Sequence, residues 1–224
     1  MPTYHFNFRI LAPHYGVLMN GAVMTLYLSL LSILIGFALG LIGALCRRSR
    51  SPVLRSISAA YVDLMRNTPG LVQLYLVYFG TGELGIRMSG FYAALIALSL
   101  NCGGYATEIF RAGLEAIPKG QTEAALSLAL RPLEVLRFIT LPQAIRVVYP
   151  PLGNQVVAVV LGSSMAAVIT VPELTGRALD VGGITFRYFE TFTVAIVAYI
   201  VVVQLINVLW SACGRLFFRK VPGR

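Results

Sequence analysis

One stretch of the sequence, from Gly21 to Cys46, contains 26 residues without a charged side chain. An α-helix needs about 20 apolar residues to cross the hydrocarbon core of a bilayer. In water, an uncharged helix of this length would expose a large apolar surface and promote aggregation. The stretch therefore predicts a transmembrane helix, and it requires the rest of the chain to fold as a membrane protein.

The composition agrees with a lipid-facing surface. Only 12% of the 224 residues are charged and 57% are hydrophobic, whereas a soluble domain carries about 25% charged residues. The net charge of +9 does not indicate nucleic-acid binding, because the basic residues border apolar segments instead of lying among base-stacking aromatic residues on a polar face. The three cysteines have no spacing typical of a metal site or a disulfide framework, and they are interpreted as small buried hydrophobic residues.

Three arginines, Arg47, Arg48 and Arg50, directly follow the first predicted span. Because Lys and Arg are retained on the cytoplasmic side, the first helix is expected to run from outside to inside. Residues 1–20 lack a basic region directly before the apolar run, and that run is too long for a secretory signal. We therefore expect residues 1–20 to be an extracytoplasmic segment and the apolar run to be retained as a membrane anchor.

Four further apolar segments predict additional spans, at residues 69–80, 90–110, 147–169 and 192–218. The first of these is short and must borrow residues from its flanks to cross a bilayer. Five spans place the N-terminus outside and the C-terminus inside, with a transmembrane domain over residues 21–218 and a cytoplasmic tail over residues 219–224. On this topology 14 of the 18 Lys and Arg residues lie on inward segments, which is the bias expected of cytoplasmic loops.

Local patterns predict where helices begin and where they approach one another. Gly36 and Gly40 stand four residues apart in the first span, which either allows close approach of a second helix or reflects glycines tolerated in a lipid-facing helix. Residues 51–67 fit either an interfacial helix or the polar foot of the second span. Thr68 and Pro69 predict a helix start, with Thr as the cap and Pro in the first turn.

The longest inward-facing loop, Arg111 to Pro142, is rich in alanine, leucine and charge. After a break at residues 118–120, residues 121–130 predict a short helix, and a second helix is expected from Pro132 to Leu141 because proline disfavours helix at the preceding residue. Small and apolar side chains are predicted to cluster on one side of the first helix: Ala124, Ala125, Leu128 and Ala129. Two interpretations stay open here, a surface for a soluble partner or an amphipathic hairpin on the membrane.

The Glu-Ala-Ala run at residues 123–125, followed by Ile-Thr-Leu-Pro at residues 139–142, resembles the EAA loop of the permease subunits of ABC importers. Ala129 stands where that family has a glycine. Since a helix continues more easily through alanine than through glycine, the bend between the two helices is expected to move to Arg131 and Pro132.

Further motifs resemble the polar amino-acid uptake branch of these permeases. They are the Arg-Asn-Thr-Pro run at residues 66–69 with Leu-Val-Gln-Leu at residues 71–74, the segment from Tyr105 to Gln121, and Glu-Leu-Thr at residues 173–175. Together the matches cover roughly Gly21 to Thr175 in the family's order. The resemblance implies an all-α integral membrane protein with about five spans, the transmembrane-domain fold of type I ABC importers, in a bacterial inner (plasma) membrane.

The same resemblance implies a permease that translocates a polar amino acid by alternating access. Its partners would be a pair of cytoplasmic ATPase subunits, a second copy or a sister permease, and an extracytoplasmic amino-acid-binding protein. ATP and Mg²⁺ would bind to the ATPase, and no cofactor or metal is expected on this chain, which lacks a G-x-x-x-x-G-K-[ST] phosphate loop. The expected ATPase contact consists of six residues: Gln121, Glu123, Ala124, Ala125, Leu128 and Ala129.

Polar groups inside spans are costly and usually face protein or water. On this basis seven residues are candidates for a substrate pathway: Gln73, Asn101, Glu108, Asn154, Gln155, Ser163 and Ser164. For each amide and hydroxyl, an interhelical hydrogen bond is the alternative role. For Glu108 the alternatives are an ion pair with Arg111 at i, i+3 and a counter-charge for a substrate amino group.

Other classes of function are less consistent with the sequence. A membrane-embedded enzyme would need clustered acids or histidines for metal or phosphate chemistry, but the nine acids are scattered and the only two histidines precede the first span. A third class is a non-transporting assembly subunit or a simple channel, and a channel would not need paired inward helices. Within the importer class, an opine, a small peptide or another amino-acid-like solute is the alternative cargo.

Overall fold

The structure, a computed structural model, describes residues 4–218. The predicted tail at residues 219–224, with its charges Arg219, Lys220 and Arg224, lies outside the described residues. Over the described range the regular elements are all helical. This agrees with the all-α fold expected from the sequence.

Nine α-helices follow one another along residues 4–218. They are α1 (Tyr15–Arg47), α2 (Pro52–Asn67), α3 (Gly70–Glu83), α4 (Gly90–Glu115), α5 (Lys119–Ser127), α6 (Pro132–Val135), α7 (Leu141–Gly162), α8 (Leu174–Thr185) and α9 (Tyr188–Phe218). Two 3₁₀ segments, Phe8–His14 and Ser163–Ile169, and one π-helical segment, Leu136–Thr140, adjoin them. The long helices α1, α4, α7 and α9 lie in the apolar runs of the sequence.

Four helical runs are long and apolar enough to cross a membrane, among the residues that the structure describes. They are Phe8–Arg47, Gly90–Glu115, Pro132–Ile169 and Tyr188–Phe218, and they correspond to the first, third, fourth and fifth predicted spans. The first and third of these runs begin more than ten residues earlier than the spans predicted at residues 21–46 and 147–169. Helix α3 has only 14 residues, which is fewer than a span needs, so the second span stays a prediction.

Ser51 and Thr68 show how the short helices are capped. The Ser51 hydroxyl accepts a hydrogen bond from the Leu54 amide at 3.5 Å, and Pro52 lies in the first turn of α2, as helix starts favour. Thr68 was predicted to cap α3, but it lies one residue before the cap position. Its hydroxyl donates to the Leu64 carbonyl at 2.6 Å. Thr68 therefore closes the end of α2, and Pro69 occupies the cap position of α3.

The chain folds into two compact units, each assembled from separate stretches of sequence. The first contains the chain up to Ile33 with Pro69–Leu98 and Val157–Asn207, and the second contains Leu34–Thr68, Ser99–Val156 and the chain from Val208 onward. Two apolar clusters form the core of the first unit. One is Leu28, Leu74, Ala93, Ala94, Ala97, Leu98, Ala166, Ile169 and Val171. The other is Leu11, Leu18, Ala22, Leu174, Ala178, Val181 and Ala195.

The second unit is organised around a seam of small residues between α1 and α4. A Cβ atom added to Gly36 would lie 2.6 Å from the Cβ of Cys102 and 3.1 Å from the Ser99 carbonyl oxygen. Added Cβ atoms on Gly40 and Gly43 would likewise collide with Ala106 and Thr107. The glycines therefore allow the two backbones to approach closely, which confirms the close-approach interpretation of Gly36 and Gly40.

We expect Gly36→Ala to lower the stability of the protein by about 1–3 kcal/mol, because the new methyl group overpacks the seam. The matched control is Gly16→Ala in the same helix, where an added Cβ meets nothing within 4 Å and alanine is the better helix former. Thermal unfolding of the purified protein in detergent would compare them. Equal transition temperatures for both variants would contradict the close contact.

Candidate functional site

Helix α5 is the first helix that lies wholly within the Arg111–Pro142 loop. It spans Lys119–Ser127, so it begins two residues before the predicted helix over residues 121–130 and ends three residues before it. The Gln121 amide donates to the Pro118 carbonyl at 3.1 Å, and the Leu128 amide donates to the Ala124 carbonyl at 3.2 Å. The loop therefore contains a hydrogen-bonded helix of nine residues.

Ala129 ends this helix in the left-handed region, with φ of 61°. Its amide donates to the Leu126 carbonyl at 3.0 Å, and the Leu130 amide donates to the Ala125 carbonyl at 3.3 Å. These bonds satisfy carbonyls that the end of a helix leaves open. The prediction that the bend moves to Arg131 and Pro132 was wrong, because the chain keeps the turn at position 129 and accepts the steric cost of a methyl group there.

The next helical run begins at Pro132, as predicted. Arg131 is extended, with ψ of 149°, which the following proline requires. The Glu134 carboxylate accepts a hydrogen bond from the Arg131 amide at 2.7 Å and so caps the first turn. Through α6, the π-helical segment and α7, the run continues into the span Pro132–Ile169.

The six predicted contact residues do not share one face. Five of them are exposed: Gln121, Glu123, Ala124, Leu128 and Ala129. Ala125 is only 3% exposed, so it lies inside the loop and is corrected to a packing residue. Leu128 is 78% exposed and points away from that interior. The predicted one-sided cluster is therefore split, since the helix ends before Leu128 and turns that side chain outward.

Gln121 also ties α5 to the beginning of α7. Its side-chain carbonyl accepts a hydrogen bond from the Gln143 side chain at 2.7 Å. The same Gln143 nitrogen donates to the Ile139 carbonyl at 2.9 Å. Gln121 is therefore both exposed and bound to the base of the span, which fixes the position of α5 on the loop.

A groove of about 630 Å³ opens beside α5. Its lining comes from the end of α4, from α5 and from the run after Pro132: Leu114, Glu115, Ile117, Lys119, Thr122, Glu123, Leu126, Pro132, Val135, Leu136 and Thr140, together with Arg48. Sequence reasoning missed most of these residues. The spacing of apolar residues such as Leu114, Leu126 and Leu136 could not identify the groove, because the groove forms only where three separate elements meet.

Glu108 lies at the centre of an ionic cluster near the end of α4. Its carboxylate is 2.7 Å from the Arg111 guanidinium, 3.7 Å from that of Arg47 and 4.0 Å from that of Arg66. Arg111 also pairs with Glu115 at 2.5 Å. The Glu108 side chain is 17% exposed, so these charges compensate one another with limited screening.

This geometry favours the pairing role that the sequence allowed for Glu108. Three arginines already surround the carboxylate, so it is not an uncompensated counter-charge for a substrate amino group. The sequence revealed Arg111 through its spacing, but it did not reveal Arg47 or Arg66, which reach Glu108 from α1 and α2. The position of Arg47 and Arg66 beside apolar segments indicated only the orientation of the spans in the membrane, and not an ion pair with Glu108.

The other pathway candidates in the second unit are Asn101, Asn154 and Gln155. The Asn101 amide donates to the Met65 carbonyl at 3.3 Å, an interhelical bond of the expected kind, and its side chain stays partly accessible. Gln155 is buried, whereas Asn154 is exposed. Of these three candidates, Asn154 and Asn101 therefore have amides that a solute could reach.

The first unit contains the remaining candidates, Gln73, Ser163 and Ser164. Gln73 is buried. The Ser163 hydroxyl donates to the Val160 carbonyl at 2.8 Å, and the Ser164 hydroxyl donates to the Leu161 carbonyl at 2.7 Å. The serines thus bond within their own helical run, which corrects the expected interhelical bonds.

Glu173, from the Glu-Leu-Thr motif, is a fully buried carboxylate. It accepts hydrogen bonds from the Gly176 amide at 2.7 Å, the Tyr199 hydroxyl at 2.8 Å and the Thr25 hydroxyl at 3.3 Å. Burial raises the pKa of the Glu173 carboxyl above its usual range. The residue therefore caps α8 and joins it to α1 and α9, a role that spacing along the sequence could not show.

Residues 32–221 match the family described as the binding-protein-dependent transport system inner membrane component. The chain belongs to this family. It is a permease of an amino-acid ABC importer and a multi-pass inner membrane protein, and ATP hydrolysis in such importers takes place on a separate subunit.

Relatives and solved structures support this assignment. The permease is 38% identical over 211 residues to the probable amino-acid ABC transporter permease YckA of Bacillus subtilis, covering 94% of this chain and 89% of the relative. It is 33% identical over 212 residues to the arginine transport permease ArtQ of the same organism, covering 94% and 97% of the two chains.

A crystal structure of an amino acid ABC transporter with histidines matches with a TM-score of 0.90 at 33% identity, over 97% of this chain and 100% of that one. The inward-facing methionine transporter MetNI, at 22% identity, matches with a TM-score of 0.76 over 92% of this chain and 98% of that one, which shows the fold alone. Together with the family match, these similarities establish the type I importer fold.

Ala129→Gly should stabilise the loop by about 1 kcal/mol, because glycine adopts the left-handed conformation without a Cβ penalty. Hydrogen exchange of the α5 amides should slow accordingly. The matched control, Ala124→Gly, places the same change inside the exposed helix, where it should accelerate exchange by a similar factor. Faster exchange in both variants would show that position 129 is not the left-handed end of α5.

Glu108→Gln should lower stability by about 1–3 kcal/mol, because three arginines lose their shared carboxylate, and it should leave selectivity between cationic and neutral amino acids unchanged. Glu115→Gln is the control: the Glu115 side chain is 56% exposed, so the loss of stability should stay below about 1 kcal/mol. Unfolding in detergent and competitive uptake into proteoliposomes measure the two effects. Altered selectivity at unchanged stability would instead place Glu108 in the substrate pathway.

Proposed function

We propose that this permease imports a polar amino acid by alternating access, and that α5 provides its contact with a cytoplasmic ATPase subunit. The observation that carries the proposal is the construction of the loop. A nine-residue helix stands on a buried alanine, presents Glu123 to solvent, is followed directly by the exposed Leu128 and is fixed to the next span through Gln121. Such a helix suits insertion into a cleft on a soluble partner.

The exposed surface formed by α5 and Leu128, the residue that follows it, provides both charge and apolar area. Glu123 can pair with a basic residue of the partner, and Leu128 can fill an apolar pocket, as buried anchors do at protein interfaces. The small side chain of Ala124 lets a partner approach the helix backbone closely. The basic bias of the inward segments supports a cytoplasmic position for the loop.

The connection between α5 and the membrane supports transmission of movement. From Pro132 the chain remains helical through α6, the π-helical segment Leu136–Thr140, α7 and the 3₁₀ segment ending at Ile169. A helical run transmits displacement along its length, and π-helical turns frequently occur at functional sites. Displacement of α5 by ATP-driven closure of the ATPase pair would therefore move the span that follows it.

The relatives support a polar amino acid as the substrate class. Their names specify arginine for ArtQ of Bacillus subtilis, glutamine for GlnP of Rickettsia felis and L-cystine for TcyB of Bacillus subtilis. We infer the same class for this permease, delivered by an extracytoplasmic amino-acid-binding protein. The pore would form with a second copy of the chain or with a sister permease, and the accessible amides Asn101 and Asn154 are the candidates for contact with the solute in the spans.

Reversal of the charge at Glu123 tests the ATPase contact. Glu123→Lys should reduce both co-purification of the cognate ATPase and ATP-driven uptake by about tenfold or more, since like charges opposed at an interface cost several kcal/mol. The amount of permease in the membrane should not change, because Glu123 is exposed.

Glu83→Lys provides the control, as it makes the same charge reversal at an exposed site outside the loop. It should leave ATPase binding and uptake at the level of the parent protein. Normal transport by Glu123→Lys, or an equal loss in both variants, would refute the assignment of α5. Ala125→Trp does not serve this purpose, because Ala125 is buried and the substitution would disrupt the loop itself.

A further inference from the structure

The segment from Tyr4 to His14 is held firmly against the beginning of α9. The Glu190 carboxylate, which is fully buried, accepts hydrogen bonds from the Tyr4 hydroxyl and from the Asn7 amide, the latter at 3.0 Å. Arg187 lies 3.5 Å from the same carboxylate and donates to the His5 carbonyl at 3.0 Å. We call these five residues the N-terminal clasp.

A second attachment lies just beyond the clasp. Leu11 is fully buried and belongs to the apolar cluster with Leu18, Leu174, Ala178 and Val181. A segment fixed at both ends in this way is an integrated part of the first unit. Removal of a buried carboxylate partner is strongly destabilising, so the clasp requires Tyr4 and Asn7 to stay in place.

The clasp displays an aromatic cluster instead of burying it. Tyr4, Phe6 and Phe189 contact one another with ring centroids 5.1–6.5 Å apart, yet each of them is more than half exposed. Phe8 and Ile10 are exposed as well. An apolar patch of this kind marks an interaction surface.

The position and charge of the patch favour lipid as its partner. It lies at the amino ends of two candidate spans, Phe8–Arg47 and Tyr188–Phe218, and so adjoins the exposed apolar residues of α1 and α9. Aromatic residues at the end of a span typically occupy the membrane–water interface. The segment itself contains Arg9 and no acid, and the one acid beneath it, Glu190, is buried and paired.

We propose that the segment from Tyr4 to Ile10 is an interfacial anchor whose aromatic side chains insert at the boundary between lipid headgroups and acyl chains, and that Glu190 fixes it there. Amphipathic segments with aromatic residues and a cation bind this boundary through buried apolar area and attraction to anionic lipids. The clasp would set the depth and orientation of the amino ends of α1 and α9. This inference depends on the membrane location of the chain and not on its substrate or its ATPase.

A tryptophan reporter tests the depth of the segment. The full-length Phe6→Trp variant is reconstituted into vesicles of phosphatidylcholine and phosphatidylglycerol that contain brominated lipids, and its emission is measured as the difference from the parent, whose only tryptophan is Trp210. Bromine close to the headgroup should quench the added tryptophan about twofold more than bromine at the chain end. Leu30→Trp, at an exposed position inside α1, is the calibration and should show the opposite order.

Substitutions in the clasp are tested in the Phe6→Trp variant. Tyr4→Phe removes only the hydroxyl that Glu190 accepts, and Glu190→Gln removes the charge opposite Arg187. Each should decrease quenching by lipid and increase quenching by aqueous acrylamide by about twofold, since the segment is released. Thr193→Val, which loses a hydrogen bond to the Phe189 carbonyl within α9, is the matched control. It should change neither the quenching by lipid nor the quenching by acrylamide.

Three results would overturn the proposal or its second part, the role of the clasp. Quenching of the Phe6→Trp reporter by acrylamide alone, with no effect of brominated lipid, would show that the aromatic cluster faces water. Protection from acrylamide that appears only after an extracytoplasmic binding protein is added would assign the surface to that protein. Quenching by brominated lipid that persists in Tyr4→Phe and Glu190→Gln would reject the role of the clasp.

Discussion

Hydrocarbon offers no hydrogen bonds, so each polar group in a span must find its partner within the protein. This constraint explains the main contacts of the second unit. The Ser58 hydroxyl donates to the Gly43 carbonyl at 2.9 Å, and the Thr107 hydroxyl donates to the Gly103 carbonyl at 2.8 Å. The first bond joins α2 to α1, whereas the second lies within α4, where the Thr107 side chain packs against Gly43 of α1. The requirement is met at Ser58 and Thr107, but three other buried serines of the described residues have hydroxyls without a hydrogen-bond partner: Ser29, Ser32 and Ser99.

Outside the spans the constraint relaxes, and the loop uses that freedom. Ala129 adopts a left-handed conformation that costs alanine about 1–2 kcal/mol, and the chain accepts the cost because the turn satisfies the last carbonyls of α5 and places Pro132 at the start of the next run. Inside a span, an interrupted helix would leave backbone groups without partners in the hydrocarbon. The strained turn is thus located where water can solvate the remaining groups, next to the surface proposed to bind the ATPase.

Sequence patterns predicted the features that depend on composition or on neighbouring residues. These include four of the spans, the close approach at Gly36, the helix start at Pro132 and the family assignment through the EAA loop. They failed where the outcome depends on distant residues. Helix propensity favoured continuation through Ala129, but hydrogen bonds at the helix end fixed the turn there. The partners Arg47 and Arg66 of Glu108, and the attachment of Tyr4 to Glu190, join residues far apart in the chain, for which no periodicity exists.

The acids of the four candidate spans share one property that bears on transport. Glu108 and Glu115 are paired with arginines, Glu134 accepts the Arg131 amide, and Glu190 accepts Tyr4 and Asn7 within the described residues. Each carboxylate is thus already used to hold helix ends or neighbouring helices together. A solute that crosses these spans would have to displace an existing partner to bind such an acid. On the proposed function, contacts in the spans would therefore come from neutral groups such as Asn154 and Asn101, and discrimination by charge would rest mainly on the binding protein that delivers the amino acid.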